Sequence, residues 1–312
     1  MRVLVAGASG VIGDPLVRRL AEAGHEVVGT TRSDARAAAV RAAGAEPIVV
    51  DVFDRDALVR AVGAAKPEVV VNELTSLPRD YDPRKMDDSF YGPTNRVRSE
   101  GGGNLLEAAR SAGARRFVTQ SIAFLYAPEG PMVKDESARP WTDAPGPFGN
   151  AVRTMVGHEG AALEAAGLES LVLRYGWLYG PGTYYARDGA IADQVRKRRF
   201  PVIGGSDGLF SYLHVDDAAG ATVAACEGGA QGIYNVVDDD PAAIPDWLPA
   251  YAAALGAKRP LRVPGWLGRL LGGTAAKMTV GLRGASNAKV KHELGWEPRH
   301  PSWREGFVAA LG

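Results

Sequence analysis

Seven residues near the start of the chain have the types and spacing to do chemistry: Gly7-Ala8-Ser9-Gly10-Val11-Ile12-Gly13. Glycine at the first position permits a tight turn. At the second it lets the backbone approach a pyrophosphate, and at the third it lets a helix pack closely on a sheet. Ser9, Val11 and Ile12 then belong to the helix N-terminus, whose free N–H groups face phosphates. A glycine-rich turn without a ligand is the alternative; position, flanks and spacing together favour a dinucleotide.

The second strand would end at Thr31-Arg32-Ser33. A site for NAD(H) usually carries a carboxylate about 20 residues past the glycines, bonded to the ribose hydroxyls. None stands here. The Arg32 guanidinium can instead pair with a 2′-phosphate and stack on adenine, with Ser33 adding a hydroxyl. The expected cofactor is therefore NADP(H). Arg32 also reads as a solvated loop residue, and Arg36 is a weaker helper. Asp51-Val52, closing the third strand, is placed to meet the adenine ring; Asp51 is equally placed to cap the next helix.

These residues need a parallel sheet to position them, and the pattern supplies one. Strands are predicted at 3–5, 26–30, 47–50, 69–71, 116–119, 171–174 and 232–237. Helices are predicted at 11–23, 34–43, 54–65, 104–112, 247–255 and 286–294. Strands alternating with helices imply an α/β fold, a Rossmann-type doubly wound parallel sheet, with a small C-terminal substrate-binding lobe. The expected division is 1–174 for the dinucleotide-binding domain, with 211–237 returning to it. Residues 175–210 and 238–312 would form the lobe.

Lys+Arg and Asp+Glu both total 36, so nothing calls for nucleic acid or an anionic membrane as partner. The run Arg196-Lys197-Arg198-Arg199 reads as a solvated helix end. Cys226 is the one cysteine, set among alanines like a small core residue, which rules out an intrachain disulfide. The strand at the N-terminus is not a signal peptide, and no run of about 18 apolar residues exists. A cytoplasmic protein with a small-molecule substrate is expected, as a monomer or homodimer, with no metal.

Several blocks together resemble the extended short-chain dehydrogenase/reductase superfamily, with its NAD-dependent epimerases and dehydratases. They are GASGVIG, Gly101 to Val118, LRYGWLYGPGT from Leu173, FSYLHVDDAAGA from Phe210, and ELGWEP from Glu293. The resemblance spans nearly the whole chain. It implies that Leu74, Thr75 and Gln120 lie near the nicotinamide ribose, and that Tyr175 and Trp177 line the nicotinamide and substrate side. His214 and Asp216 read as structural groups of a strand-to-helix turn.

The resemblance fails where that family holds its acid–base pair, a tyrosine and a lysine four residues apart. A phenol with pKa near 10 needs a neighbouring cation to serve at neutral pH. Phe148 and Val152 stand at those positions; shifting by three residues gives Ala151 and Met155. The family serine falls on Ile122, beside Ser121, and adjacent strand residues face opposite ways. The chain thus resembles the triad-lacking ketoreductases of aromatic polyketide pathways, in which a substrate phenol could supply the proton. Alternatively another side chain donates: Ser121, Thr75, Tyr126, Tyr184 or His158. A third reading is an NADP(H)-binding sensor without redox chemistry. Epimerase or dehydratase chemistry leans on the same missing tyrosine. The favoured expectation is reduction of a carbonyl on a bulky aromatic substrate, with Tyr126, Phe148, Trp177, Tyr184 and Tyr185 as its wall.

Overall fold

The structure is a computed structural model and describes residues 1–78, 80, 86–205, 207–266 and 279–312. Seven strands form its main sheet: β1 (Arg2–Ala6), β2 (Glu26–Thr31), β3 (Glu46–Val49), β4 (Val69–Asn72), β5 (Arg116–Ile122), β6 (Glu169–Tyr175) and β7 (Gly232–Val236). They are all parallel, in the order β7-β6-β5-β4-β1-β2-β3. Their interior residues are apolar runs because both faces are covered. The order reverses between β1 and β4, so the loops leaving these two strands diverge and open a crevice.

Helices α1 (Gly13–Glu22), α2 (Asp34–Ala42) and α3 (Arg55–Ala65) follow the first three strands. A long run follows β4: α4 (Asp88–Arg96), a π-turn (Val97–Gly101) and α5 (Gly102–Ser111). Then come α6 (Pro147–Leu163), α7 (Ala190–Arg196), α8 (Val215–Glu227), α9 (Ile244–Ala254), α10 (Ala288–Leu294) and α11 (Trp303–Leu311). Leu16, Val17 and Leu20 of α1 pack with Ala218, Ala221 and Ala225 of α8 on one face of the sheet. Leu58 and Val62 of α3 pack with Leu105 and Ala108 of α5 on the other.

Differences from the sequence reading have local causes. α1 starts at Gly13, two residues late, because the Gly10 amide turns back onto the Gly7 carbonyl at 2.8 Å. β5 runs three residues past Thr119, since its polar end pairs with β6 as far as Ile122 and Tyr175. α4 carries Pro93 and glycine neighbours, and α8 is an alanine run with little amphipathic pattern, so neither announces itself. In the smaller lobe, Tyr185, Tyr212, Trp247, Tyr251 and Phe307 pack ring against ring. Residues 211–237 meet the main sheet through α8, packed on one face, and β7, paired at its edge, while Tyr212–His214 pairs with Trp177–Tyr179. Part of the expected lobe, 267–278, lies outside the described residues.

Candidate functional site

The glycine loop and the loop after β4 meet at the crevice. Gly7 has φ +90°, and a Cβ there would lie 2.9 Å from the Glu73 carbonyl oxygen. A Cβ on Gly13 would lie 2.1 Å from the Gly7 carbonyl oxygen. Only bare backbone fits at these two positions, which leaves a glycine cradle at the start of α1, where free helix N–H groups favour an anion.

A cleft runs from this cradle over the ends of β1, β2 and β4. Gly7, Ser9, Gly10, Arg32, Val52, Leu74 and Thr75 line it, together with Arg36. Leu58 and Leu105, which the sequence did not single out, add an apolar wall. Val11, Ile12 and Gly13 open α1 beside the cradle. Ser33 stands at the N-cap of α2, and Asp51 accepts from the Phe53 amide at 3.0 Å while Asp54 caps α3. Gln120 supports the wall from behind, its Nε2 donating to the Leu74 carbonyl at 3.2 Å. Arg32 and Arg36 are exposed, and neither guanidinium bonds to another described residue.

Among the described residues lining the cleft, the one acid is Glu73. Burial raises its pKa to about 8, although the Tyr175 hydroxyl donates to its Oε1 at 2.8 Å. Glu73 is therefore protonated at neutral pH, and the lining carries net positive charge. Tyr175 is itself buried, sharing a 2.6 Å hydrogen bond with Thr222 of α8. Its ring thus sits beneath the strand ends.

The proton-donor candidates are mostly tied into the interior. Ser121 Oγ donates to Glu159 Oε1 at 2.5 Å. Glu159 holds the Arg174 guanidinium through two bonds, at 2.9 and 2.5 Å, with both side chains almost fully buried. Arg174 reaches the Tyr126 hydroxyl at 3.0 Å, and that hydroxyl donates to Asn235 at 2.6 Å. His158 Nε2 lies 2.8 Å from Thr119 Oγ1 and 3.3 Å from Asn72 Nδ2. Burial first, then the Arg98 charge, lowers its pKa to about 4, so the ring is neutral. Thr75 is exposed at the cleft, and the Tyr184 hydroxyl donates to the Pro78 carbonyl across the same loop.

Phe148, Val152, Ala151 and Met155 are all buried on α6, so neither register of the acid–base pair presents a polar group. Phe148 packs near Trp141 and Tyr91. Tyr185 lies in the aromatic core of the lobe. Trp177 is half-buried, stacked on Phe124 with ring centroids 4.1 Å apart. Of the cofactor candidates, Gly7, Ser9, Gly10, Arg32, Val52, Leu74 and Thr75 share one cleft lining, Tyr175 and Trp177 stand outside it, and the expected substrate wall is dispersed between buried core and loop.

Two other groups are settled by their surroundings. Cys226 is buried and its thiol pushed up to about 12, which leaves it unreactive. His214, Asp217 and His300 come together. Asp217 accepts from the Arg299 and His300 amides, and His214 Nδ1 accepts from the Asp216 amide to cap α8. These bonds pin the C-terminal segment to α8. Among the described residues no helix is long and apolar enough to cross a membrane.

Residues 3–236 match the model of the NAD dependent epimerase/dehydratase family. The 3-diazoavenalumate denitrifying reductase of a Streptomyces species is 49% identical over 311 residues, spanning 98% of this chain and 99% of that one. A 4-hydroxy-2-methyl-3-oxo-4-farnesyl-3,4-dihydroquinoline-1-oxide ketoreductase of Stigmatella aurantiaca is 28% identical, over 83% and 74% of the two chains. The UDP-glucose 4-epimerase of Thermus thermophilus, solved with NAD, superposes with a TM-score of 0.74 at 25% identity, covering 100% of this chain and 98% of that one. Parallel sheet, glycine cradle and these likenesses agree: the chain belongs to the NAD dependent epimerase/dehydratase family.

Proposed function

We propose that this protein is an NADPH-dependent reductase that delivers hydride to a planar aromatic substrate without an acid–base pair of its own. One observation carries the reading: the cleft starts at a glycine turn that accepts only bare backbone, whereas both registers of the expected tyrosine and lysine hold buried apolar or small residues. Reductase-named relatives support the redox class. NADPH over NADH is supported by the free Arg32 and Arg36 guanidiniums and by the absence of an ionised carboxylate in the lining.

The residues fit the cofactor in three parts. Gly7, Gly10 and Gly13 would hold the pyrophosphate, Arg32 with Ser33 the 2′-phosphate, and Val52 with Leu58 the adenine. Bound there, the reduced nicotinamide supplies a hydride. The loop Glu73–Thr75, fixed by Gln120 and Tyr175, would orient it; positioning carries much of such a barrier.

The relative at 49% identity is named as a denitrifying reductase of a diazo compound, and the acceptor we propose is a diazo arene bearing a ring oxygen. Its reduction places hydrogen where the diazo group was and releases dinitrogen. The electron pair arrives with the hydride, charge gathers on the ring oxygen, and water protonates that oxygen. No side-chain acid is required, which matches the site. A second reading is reduction of a ketone, which the Stigmatella ketoreductase favours; a neighbouring substrate phenol would then supply the proton.

The test is incubation with NADPH and an ortho-diazophenol. NADPH loss and dinitrogen release in equal amounts are expected. NADPH loss with hydroxylated aromatic ketones alone selects the second reading. Binding without oxidation in either case overturns the reductase assignment.

A further inference from the structure

Arg98 lies on the π-turn, and its side chain is more than nine-tenths buried. Its Nε is buried without a partner, and among the described residues no hydrogen bond or ion pair reaches the guanidinium. An unpaired buried charge is costly and is retained only where something compensates it. Single π-turns within α-helices concentrate at functional sites.

Its neighbours place it behind the Asn72–Ser76 loop, close enough to His158 for its charge to lower that ring's pKa. Thr94, Arg98 and Gly102 follow at intervals of four, and all three are buried, so they share the inner face of this helix run. Thr94 Oγ1 accepts from the Ser76 amide at 3.2 Å. A Cβ on Gly102 would lie 2.6 Å from the His158 ring, which touches Asn72. The helix run that carries Arg98 thus meets both ends of the Asn72–Ser76 loop, and the middle residues of that loop, Glu73 to Thr75, line the cleft. Against α6, Tyr91 approaches Phe148 and Gly102 meets His158. At about 1.5 Å per residue, Arg98 falls at the height of Ala151 to Met155. The expected lysine is missing from that helix, and the Arg98 charge is felt on it at His158.

We propose that Arg98 is the cation of the reaction centre, binding the substrate oxygen, a phenolate or enolate, that carries negative charge once hydride has been accepted. This rests on the reductase reading above. The guanidinium would favour the transition state because charge develops on that oxygen only as hydride arrives. It also holds a phenolate in the ground state, which makes the site testable without turnover.

The probe is 4-nitrophenol added to the NADPH-loaded enzyme, followed by its phenolate absorbance. In the wild type the bound phenol is expected to ionise at lower pH than in solution. Arg98→Met should bind the phenolate about 10- to 100-fold more weakly, as for loss of a charge-assisted bond. It should bind nitrobenzene and NADPH unchanged and melt at the same temperature or higher, since an unpaired buried charge is gone. Arg98→Lys should recover part of the phenolate affinity. Undiminished phenolate binding in Arg98→Met, or a markedly lower melting temperature, overturns the proposal by showing a role in folding instead. If Arg98 governs phenolate binding but no diazo or keto substrate oxidises NADPH, the anion site stands and the reductase reading falls.

Discussion

At the scale of single residues, two side chains of the cleft lining, Arg32 and Glu73, lead to predictions. Arg32 is exposed and free to pair with a 2′-phosphate, and removing a charge-assisted, bidentate partner is worth about 1.5–3 kcal/mol. Arg32→Ala should therefore weaken NADPH about 10- to 100-fold and leave NADH nearly unchanged, as read by nicotinamide fluorescence titration. Glu73 acts through its proton. Its pKa of about 8 in the fold lies above that of the unfolded chain, so the folded state binds more protons between these values. This contribution makes stability fall as pH rises from the unfolded carboxyl pKa through about 8. Glu73→Gln keeps an acceptor for Tyr175 and cannot ionise. Thermal melts should show it matching the wild type near pH 5 and exceeding it above about pH 8. His158 has the opposite sign: with a folded pKa of about 4, it costs stability as pH falls below the imidazole range.

At the scale of elements, strand β6 is joined to helix α6 by one buried ion pair. Arg174 and Glu159 meet between them, and Ser121 of β5 and Tyr126 complete the network. Removing one partner leaves the other charge buried and alone, at a cost of about 3–5 kcal/mol, while replacing both with apolar groups is far milder. Arg174→Met should thus lower the urea midpoint sharply, and Arg174→Met with Glu159→Leu should regain most of the loss. A Ser121 substitution that abolished turnover with folding intact would instead show that its hydroxyl reaches the substrate. The sequence made Ser121 a candidate because it neighbours the family serine position. Its orientation toward α6 depended on how far β5 continues, which the polar stretch around Gln120 could not reveal.

At the scale of the whole molecule, the cofactor cleft lies at the reversal of strand order, between loops from β1 and β4 that are far apart in the chain. A ligand bound only by the folded state stabilises it by about 2.7 kcal/mol at roughly one hundred times its Kd. NADPH should therefore raise the melting temperature by scanning calorimetry, and NADH at the same concentration should raise it less. Equal shifts would show that Arg32 and Arg36 do not select the cofactor.

The sequence by itself determined the strand-and-helix alternation and the glycine cradle, because both are written in local spacing. A glycine is required wherever a Cβ would strike backbone, and an apolar run marks a strand covered on both faces. It also exposed the missing tyrosine and lysine, since absence from a four-residue spacing is visible in one dimension. Only the tertiary structure decided which polar groups face the cleft and which are used inside. Ser121, Tyr126 and His158 turned inward because their partners Glu159, Arg174 and Thr119 come from other elements. Arg98 carried no signal in the sequence, in a stretch assigned to no element before 104. It became conspicuous only when folding buried its side chain and left its Nε without a partner among the described residues. Pairing is a property of three-dimensional neighbours, and nothing in the order of residues along the chain records it.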